Sequence, residues 1–304
     1  MPHLLAIGLG YTAQYVVNAL QAGDGAWSFT GTARTAEKCA AREAEGINML
    51  RFDPAEGIIP ESLPADITHL LISAAPSPST DTDPHGGDPV IAHLDEHLVP
   101  LLDLEWVGYL STIGVYGNAD GAWIDETTPP NPKSERGVRR LRAEAAWQDF
   151  GKRTGVATQI FRLPGIYGPG RSPLKKVAEG TARRIVKPGQ VFNRAHVEDI
   201  AQVIAASIHR PNAGAIYNIS DDEPAPPQDV ITYAAELLGM EPPPSQDFAT
   251  ADMTEMARSF YSDNKRVGNA RIKEELGVAL RYPTYREGLR AVAAMSGLGV
   301  EADR

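Results

Sequence analysis

The sequence predicts an α/β protein built on a Rossmann-type, doubly wound parallel sheet, with a smaller C-terminal substrate lobe interleaved with it. Three observations lead to this prediction. A buried strand runs into a glycine-rich turn and a helix at the start of the chain. Strand-like and helical segments then alternate up to about Gly168, as in repeated β-α-β units. Beyond Gly168, short helices and proline-rich segments replace this alternation.

The elements follow from the spacing of apolar residues along the chain. The predicted strands cover residues 4–7, 27–32, 47–52, 67–75, 106–116 and 158–163, and the predicted helices cover residues 11–22, 36–45, 90–102 and 134–150. We expect a nucleotide-binding Rossmann domain over residues 1–167. Residues 168–304 then form most of the substrate lobe, with segments at about 190–220 returning to the Rossmann sheet.

The glycine-rich turn, Gly8-Leu9-Gly10-Tyr11-Thr12-Ala13, predicts a dinucleotide site. Gly8 permits the tight turn, Gly10 lets a pyrophosphate approach the backbone, and the small Ala13 lets the helix pack on the strand. Free N–H groups and the helix dipole favour the negative charge. The alternative is a tight turn with no ligand.

The residues after the second strand predict NADP(H) rather than NAD(H). An NAD-preferring protein places an acidic residue there, to bind the ribose hydroxyls, whereas an NADP-preferring protein places a cation near the 2′-phosphate. Arg34 offers a planar guanidinium suited to phosphate, and Thr32 and Thr35 can add hydroxyl donors. The alternative for Arg34 is a surface side chain at a helix start. Asp53, which closes the third strand, either accepts from the adenine amino group or caps the turn with Pro54.

Composition narrows the possible partners. The chain has 304 residues and a formal net charge of −10, which argues against general nucleic-acid binding. Residues 133–194 carry 15 Lys and Arg against 4 Asp and Glu. This basic segment suggests a pocket for an anionic small molecule, although solvated helix faces are the alternative.

The sequence also suggests a location. No apolar run is long enough to cross a membrane, and the first residues lack the basic n-region of a signal peptide. The single cysteine, Cys39, excludes an intrachain disulfide and fits a reducing compartment. We therefore expect a cytoplasmic protein that does not interact with membranes.

Several ordered motifs resemble the extended short-chain dehydrogenases/reductases, which include the NAD-dependent epimerases and dehydratases that act on nucleotide sugars. The motifs are the Gly8 turn, Asp53, Leu110-Ser111-Thr112-Ile113-Gly114-Val115-Tyr116-Gly117, Phe161-Arg162-Leu163-Pro164-Gly165-Ile166-Tyr167-Gly168-Pro169-Gly170, Ala195-His196-Val197-Glu198-Asp199-Ile200 and Tyr217-Asn218-Ile219-Ser220-Asp221. The resemblance covers most of the chain. It implies that Thr112 orients the substrate, that residues 164–166 lie beside the nicotinamide, and that Glu198 and Asp199 bridge the two lobes.

The expected cofactor-binding residues combine the sequence pattern with this resemblance. They are Gly8, Gly10, Tyr11, Thr12, Ala13, Thr32, Arg34, Thr35, Asp53, Ala74, Ala75, Pro76, Thr112, Pro164, Gly165 and Ile166.

The chain departs from the family at the catalytic dyad. The family uses Tyr-x-x-x-Lys on the helix after the Thr112 strand, but here Arg136 occupies the tyrosine position and Arg140 the lysine position. Residues four apart share a helix face, so both arginines are expected to point where the dyad would, alongside Trp147. An arginine binds negative charge but cannot relay a proton near neutral pH. The two charges require compensation by Glu126, by Glu144 or by an anionic substrate.

Other groups are candidates for the missing acid. Tyr116 and Tyr167 are predicted to end strands on the ligand side of the sheet, and His196 has a suitable intrinsic pKa. Each also has a structural interpretation as a satisfied buried side chain. The catalytic residues assigned on this basis are Thr112, Tyr116, Arg136 and Arg140. His93 and His97 are four residues apart, but the sequence between them has no metal-site pattern, so no metal is expected.

These observations predict an NADP(H)-binding, atypical member of this family, with NAD less favoured. It is expected to be an oxidoreductase or an epimerase-like enzyme on an anionic, nucleotide-sugar-like molecule; the alternative is a catalytically silent NADP(H) sensor. The resemblance also implies a homodimer through the helices at 90–102 and 134–150. The apolar stripe of Leu94, Leu98, Leu101 and Leu102 supports that assembly.

Overall fold

The computed structural model describes residues 1–23, 25–78, 83, 85–98, 101 and 103–297. The strands are β1 (His3–Ile7), β2 (Ser28–Ala33), β3 (Asn48–Arg51), β4 (His69–Ile72), β5 (Trp106–Thr112), β6 (Trp123–Ile124), β7 (Ala157–Leu163), β8 (Gly165–Tyr167), β9 (Arg184–Val186), β10 (Arg194–His196), β11 (Ile216–Asn218), β12 (Ser245–Asp247) and β13 (Arg266–Val267). The helices are α1 (Tyr11–Ala22), α2 (Ala36–Glu43), α3 (Pro89–Leu98), α4 (Glu135–Thr154), α5 (Pro173–Ala178), α6 (Val197–His209), α7 (Pro227–Leu237), α8 (Glu255–Ser259), α9 (Ala270–Leu276) and α10 (Tyr285–Ser296).

The central feature is a seven-stranded parallel sheet in the order β11-β7-β5-β4-β1-β2-β3. The strand order reverses between β1 and β4. In open parallel sheets, a ligand crevice forms outside the carboxyl ends of the strands at such a reversal. This arrangement confirms the predicted Rossmann-type fold, and it places the glycine turn after β1 at the crevice.

Each face of the sheet is covered by helices. Val16 and Val17 of α1 pack with Ile200 and Ile204 of α6 on one face. On the other face, Leu94 of α3 packs with aromatic residues of α4. Strands covered on both sides are almost continuously apolar, as β1 and β4 are.

The smaller lobe is built from short elements. Strands β8 and β10 pair in one two-stranded sheet, and β9 and β12 pair in another. Tyr167, Leu174, Val230, Tyr285 and Leu289 belong to its separate core. The chain returns to the large sheet after β10, because α6 packs on the α1 face and β11 pairs with β7.

Several predicted boundaries differ from the structure. The fourth strand, predicted over 67–75, covers only His69–Ile72. The fifth strand ends at Thr112 rather than Tyr116, because the Thr112 hydroxyl accepts from the Gly114 N–H and begins a 3-10 turn over Ile113–Tyr116. The helix predicted over 134–150 continues to Thr154, where Gly155 adopts a left-handed conformation and ends it. The helix predicted over 90–102 is described from Pro89 to Leu98.

The apolar stripe expected to support a dimer lies largely inside this chain. Leu94 is 0% exposed and Leu98 is 1% exposed, because both pack on the central sheet. Leu101 also packs against this core, and Leu102 lies outside the described residues. The homodimer therefore stays a prediction that depends on the resemblance.

Candidate functional site

The glycine turn follows β1, and it faces the residues that follow β4, at the place where the strand order of the sheet reverses. Gly8 has φ +85, and a Cβ added to it would lie 3.0 Å from the Ala74 backbone nitrogen. Glycine is required there both by the left-handed backbone and by the close approach. The Gly8 N–H donates to the Thr32 hydroxyl at 2.9 Å, so the end of β2 holds the turn.

The start of α1 fits a bound pyrophosphate. Gly10 is the N-cap and no side chain caps the helix. Among the described residues, no acceptor takes the backbone N–H groups of Tyr11, Thr12 and Ala13. A Cβ on Gly10 would meet only the Gly8 carbonyl oxygen, at 3.8 Å, so the space above the turn is open. Free amides facing open space at a helix N-terminus are suited to an anion.

Tyr11 connects the turn to the segment after β8. Its hydroxyl donates to the Pro169 carbonyl at 3.0 Å, and the Arg171 guanidinium lies 5.8 Å from its ring centroid. Gly168 makes this contact possible, since a Cβ there would lie 2.6 Å from the Tyr11 hydroxyl. Burial raises the pKa of Tyr11, so its hydroxyl stays protonated. The side chains of Thr12 and Ala13 are buried and pack the helix.

Of the three residues expected at the adenosine end, two are engaged within the protein and one is exposed. Thr32 is 1% exposed and supports Gly8, so its hydroxyl is not a surface donor for a phosphate. Thr35 is the N-cap of α2, where its side chain accepts from the Lys38 N–H. Arg34 is exposed at the end of β2.

Sequence reasoning missed Arg51. It is exposed at the end of β3, the strand beside β2, and its Nε donates to the Arg34 carbonyl at 3.2 Å. The Arg51 guanidinium therefore lies against the backbone of Arg34, at the corner where β2 and β3 end. The parallel pairing of Ala33 with Arg51 brings them together, and only the strand register reveals it.

The next cofactor candidates follow β3 and β4, at the edge where the parallel strands end: Asp53, Ala74, Ala75 and Pro76. The backbone of Asp53 pairs with Ile58, and its carboxylate does not cap the following turn at Pro54. The capping role considered for Asp53 is therefore not what the structure shows. Ala74 contacts Gly8, whereas Ala75 is exposed and Pro76 half-buried.

The turn after β5 lies next to the start of α4. The Thr112 oxygen accepts from the Gly114 N–H at 3.1 Å, which leaves its hydroxyl proton free to donate. A Cβ on Gly137 would lie 3.2 Å from the Gly114 carbonyl oxygen. This close approach places the first turn of α4, which carries Arg136, against the 3-10 turn that begins after Thr112. Half-buried Pro164 and Ile166 and exposed Gly165 lie after β7, where β8 pairs with β10.

The two arginines do not act as a pair. Arg136 is exposed and makes no hydrogen bond or ion pair with the described residues. Arg140 donates to the Leu110 carbonyl of β5, and its guanidinium lies 5.7 Å from the Tyr109 ring centroid. The expectation that both point where the dyad would, alongside Trp147, is wrong for Arg140, which is held at β5, and for Trp147, which is fully buried and donates to Asp88.

The predicted compensating carboxylates have other partners. Glu144 binds both the Nε and the Nη2 of Arg162, at 3.1 and 2.7 Å, and also accepts from Ser111. Glu126 accepts from the Asn218 N–H at 2.7 Å. Neither neutralises Arg136, so the structure corrects that part of the prediction.

Tyr116 does not end a strand and is not exposed to the crevice. It is 3% exposed, its hydroxyl donates to the Asn218 side chain at 2.9 Å, and the Arg162 guanidinium lies 4.7 Å from its ring centroid. Burial raises its pKa, although Arg162 opposes the shift. A buried phenol with a satisfied hydroxyl and a raised pKa is poorly suited to proton transfer.

The other two candidates for the catalytic acid, Tyr167 and His196, are also buried and hydrogen-bonded within the protein. Tyr167 is 5% exposed and donates to the Thr284 carbonyl, while burial raises its pKa. His196 is fully buried, and its Nδ1 accepts from the Glu198 N–H at the start of α6. Burial lowers the pKa of His196 to about 4, so the ring is neutral near neutral pH.

The basic segment is mostly engaged within the chain. Arg139 pairs with Glu135, Arg153 with Asp95, and Arg162 with Glu144. The excess of cations in the sequence therefore does not form one continuous anion site.

Two kinds of site are not found in the described ranges. No cluster of three or more His, Cys, Asp or Glu side chains there is arranged for a metal ion. No helix among those residues combines the length and apolar character needed to cross a bilayer.

Comparisons with known proteins agree with this geometry. The model of the NAD dependent epimerase/dehydratase family matches residues 8–220, from the glycine turn to the end of the large sheet. The chain is similar to Protein YeeZ of Escherichia coli (strain K12), with 30% identity over 293 residues that cover 93% of this chain and 97% of that protein.

Solved structures show the same architecture. A functionally unknown conserved protein from Silicibacter pomeroyi DSS has 50% identity and a TM-score of 0.84, over 97% of this chain and 99% of that one. A dTDP-glucose 4,6-dehydratase from Bacillus anthracis, in complex with NAD, has a TM-score of 0.74 at 16% identity, over 98% and 97% of the two chains. At that identity the second match shows the fold alone.

Proposed function

The chain belongs to the NAD-dependent epimerase/dehydratase family, and from that premise we propose that it is an NADP(H)-dependent oxidoreductase acting on a small anionic molecule. The observation that carries the cofactor part is the pair Arg34 and Arg51. Both are exposed at the adjoining ends of β2 and β3, and no acidic residue closes β2. Two guanidinium groups at this corner favour a 2′-phosphate over free ribose hydroxyls.

The proposed reaction depends on which hydrogen-bonding groups are not engaged with the described residues. A bound nicotinamide supplies or accepts a hydride. Thr112 has a hydroxyl proton to donate, and the Arg136 guanidinium has no partner among the described residues, so both are suited to hold a substrate oxygen on which negative charge develops. Since Arg136 does not release a proton near neutral pH, the proton that completes a carbonyl reduction comes from solvent.

A second function is favoured by one specific observation. Arg140, at the position of the family's lysine, is engaged with the Leu110 carbonyl and the Tyr109 ring. It has no tyrosine to activate at position 136. A protein that binds NADP(H) without turnover, and reports its redox state to a partner, is consistent with this arrangement.

Cofactor affinities test the first proposal. Dissociation constants for NADPH and NADH, measured by nucleotide fluorescence, are expected to differ at least about tenfold in favour of NADPH, or about 1.4 kcal/mol. Arg34→Ala is expected to remove most of this preference, and Arg34→Ala with Arg51→Ala to remove the rest.

Arg42→Ala is the matched control, because Arg42 lies on α2 and pairs with Glu45. Its cofactor preference is expected to match the wild type. Equal wild-type affinities for the two cofactors would contradict the proposal.

Turnover separates the enzyme from the sensor. We expect NADPH oxidation in the presence of at least one member of a panel of 2-oxo acids, aldehydes bearing a carboxylate and 4-keto sugar nucleotides. Arg136→Ala is expected to weaken binding of that substrate while NADPH affinity stays within a few-fold. NADPH binding with no oxidation by any member would favour the sensor.

A further inference from the structure

The small lobe contains a cavity of about 160 Å³ that begins at the segment expected beside the nicotinamide. Gly165 and Ile166, which belong to that segment, are among its lining residues. Ile166, Pro173, Val230 and Leu289 give it apolar walls, and the charged residue that lines it is Arg194. A cation set among apolar walls is costly unless an anion compensates it.

Arg194 has hydrogen-bond capacity that the protein does not use. Its Nη1 donates to the carbonyl oxygens of Phe192 and Ala225, at 2.9 and 3.2 Å. Within the described residues, no acceptor is found for its Nε or its Nη2, and no carboxylate forms an ion pair with it. The two unused donors form one edge of the guanidinium, which is the edge that binds a carboxylate through two parallel hydrogen bonds.

Asp221 lies near Arg194 but does not occupy its free donors. Its backbone N–H donates to the Arg194 carbonyl, so the two residues are adjacent, but its Oδ2 is buried without a hydrogen-bond partner. Burial raises the pKa of Asp221 well above its usual range, although Arg194 opposes the shift. The two groups interact electrostatically, but within the described residues Asp221 makes no hydrogen bond or ion pair with the guanidinium, so the Nε and Nη2 donors stay available.

We propose that this cavity binds a small organic acid, with its carboxylate on the Nε and Nη2 of Arg194 and its apolar body against Ile166, Val230 and Leu289. Pockets for drug-sized ligands usually enclose about 300–1,000 Å³, so this cavity fits a compact acid rather than a nucleoside diphosphate sugar. The inference rests on the proposed function and gives it a substrate class. It differs from the nucleotide-sugar-like substrate that the sequence resemblance implies.

Calorimetry with simple probes tests the class of ligand. Phenylacetate is expected to bind the NADPH-loaded protein, and its neutral analogue phenylacetamide to bind at least about tenfold more weakly, because only the carboxylate uses both donors of Arg194. UDP is expected to bind more weakly than phenylacetate. Binding of UDP with no response to phenylacetate would overturn the inference, as would equal affinity for phenylacetate and its amide.

Two variants address the site itself. Arg194→Gln is expected to lower phenylacetate affinity at least about tenfold. Val230→Phe keeps the charge and fills the cavity, so it is expected to lower the same affinity even if Arg194→Gln fails to fold. Arg184→Gln is the matched control, since Arg184 is half-buried in the same lobe and outside the cavity.

The outcomes of the two proposals are distinguishable. Unchanged phenylacetate binding in Val230→Phe would contradict the assigned cavity, whatever the cofactor preference proves to be. Equal affinity for NADPH and NADH, with phenylacetate binding intact, would contradict the cofactor proposal and leave the cavity assignment standing.

Discussion

Thr32 illustrates, at the scale of one residue, how a buried hydroxyl holds the glycine turn of the proposed cofactor site. The residue is the last but one of β2, and its side chain accepts from the Gly8 N–H at 2.9 Å. The glycine turn is thus held by the neighbouring strand as well as by its own backbone. Thr30, two residues earlier on the same strand, is buried too, but its hydroxyl contacts His3 at the opposite end of the sheet.

This difference predicts the effect of removing each hydroxyl. Thr32→Val is expected to cost about 1 kcal/mol of unfolding free energy, because the Gly8 N–H loses its acceptor, and also to weaken NADPH binding several-fold. Thr30→Val is expected to cost similar stability with NADPH affinity unchanged. Denaturant unfolding and fluorescence titration measure the two quantities. Equal loss of NADPH affinity in both variants would show that the Thr32–Gly8 contact has no special role.

At the scale of one element, α4 is attached to the sheet through a buried ion pair. Glu144 and Arg162 are each 2% exposed, and they make two hydrogen bonds to each other. Burial opposes the charge on Arg162, yet the hydrogen bonds and charge of Glu144 raise its pKa. Because α4 also carries Arg136, this attachment fixes the helix that flanks Thr112.

Breaking one side of this pair should be far more harmful than breaking a surface pair. Glu144→Ala is expected to lower the unfolding free energy by about 3–5 kcal/mol, since it leaves the Arg162 charge buried without a partner. Arg153→Ala, which breaks the exposed pair with Asp95 beside the same helix, is expected to cost about 0–1 kcal/mol.

Urea denaturation monitored by circular dichroism gives both values. The double variant Glu144→Leu with Arg162→Met is expected to recover most of the loss, because it removes both charges. A double variant no more stable than Glu144→Ala would mean that the polar network, rather than the unpaired charge, accounts for the cost.

At the scale of the whole molecule, Asp199 connects the two lobes. It lies at the start of α6, which packs on the Rossmann sheet, and its carboxylate accepts from the backbone N–H groups of Arg281 and Tyr282. Those residues join α9, which packs with α6, to α10 of the small lobe. The expectation that residues 198 and 199 lie in a bridging segment agrees with this placement.

Loosening this connection should affect the small lobe before the cofactor site. Asp199→Ala is expected to speed amide hydrogen exchange over residues 281–289, because two backbone N–H groups lose their acceptor, while NADPH affinity stays within a few-fold. Glu198→Gln is the control. Its side chain contacts Arg281 and the Tyr282 hydroxyl near the surface, and the variant is expected to change exchange little. Equal exchange in wild type and Asp199→Ala would contradict the bridging role.

The sequence by itself was sufficient for the fold class, the order of the main elements and the position of the glycine turn. These follow from local causes: apolar periodicity and the conformational freedom of Gly8. The arginines at positions 136 and 140 were equally visible, because the family motif has a fixed spacing.

Only the tertiary structure decided which of those side chains are free to act. Strand register brings Arg51 beside Arg34, although 17 positions separate them along the chain. Packing buries Tyr116 and engages Arg140, whereas Arg136 stays exposed. Contacts between distant segments determine burial and hydrogen-bond partners, and these partners decide whether a charged or titratable group serves the fold or remains available for chemistry.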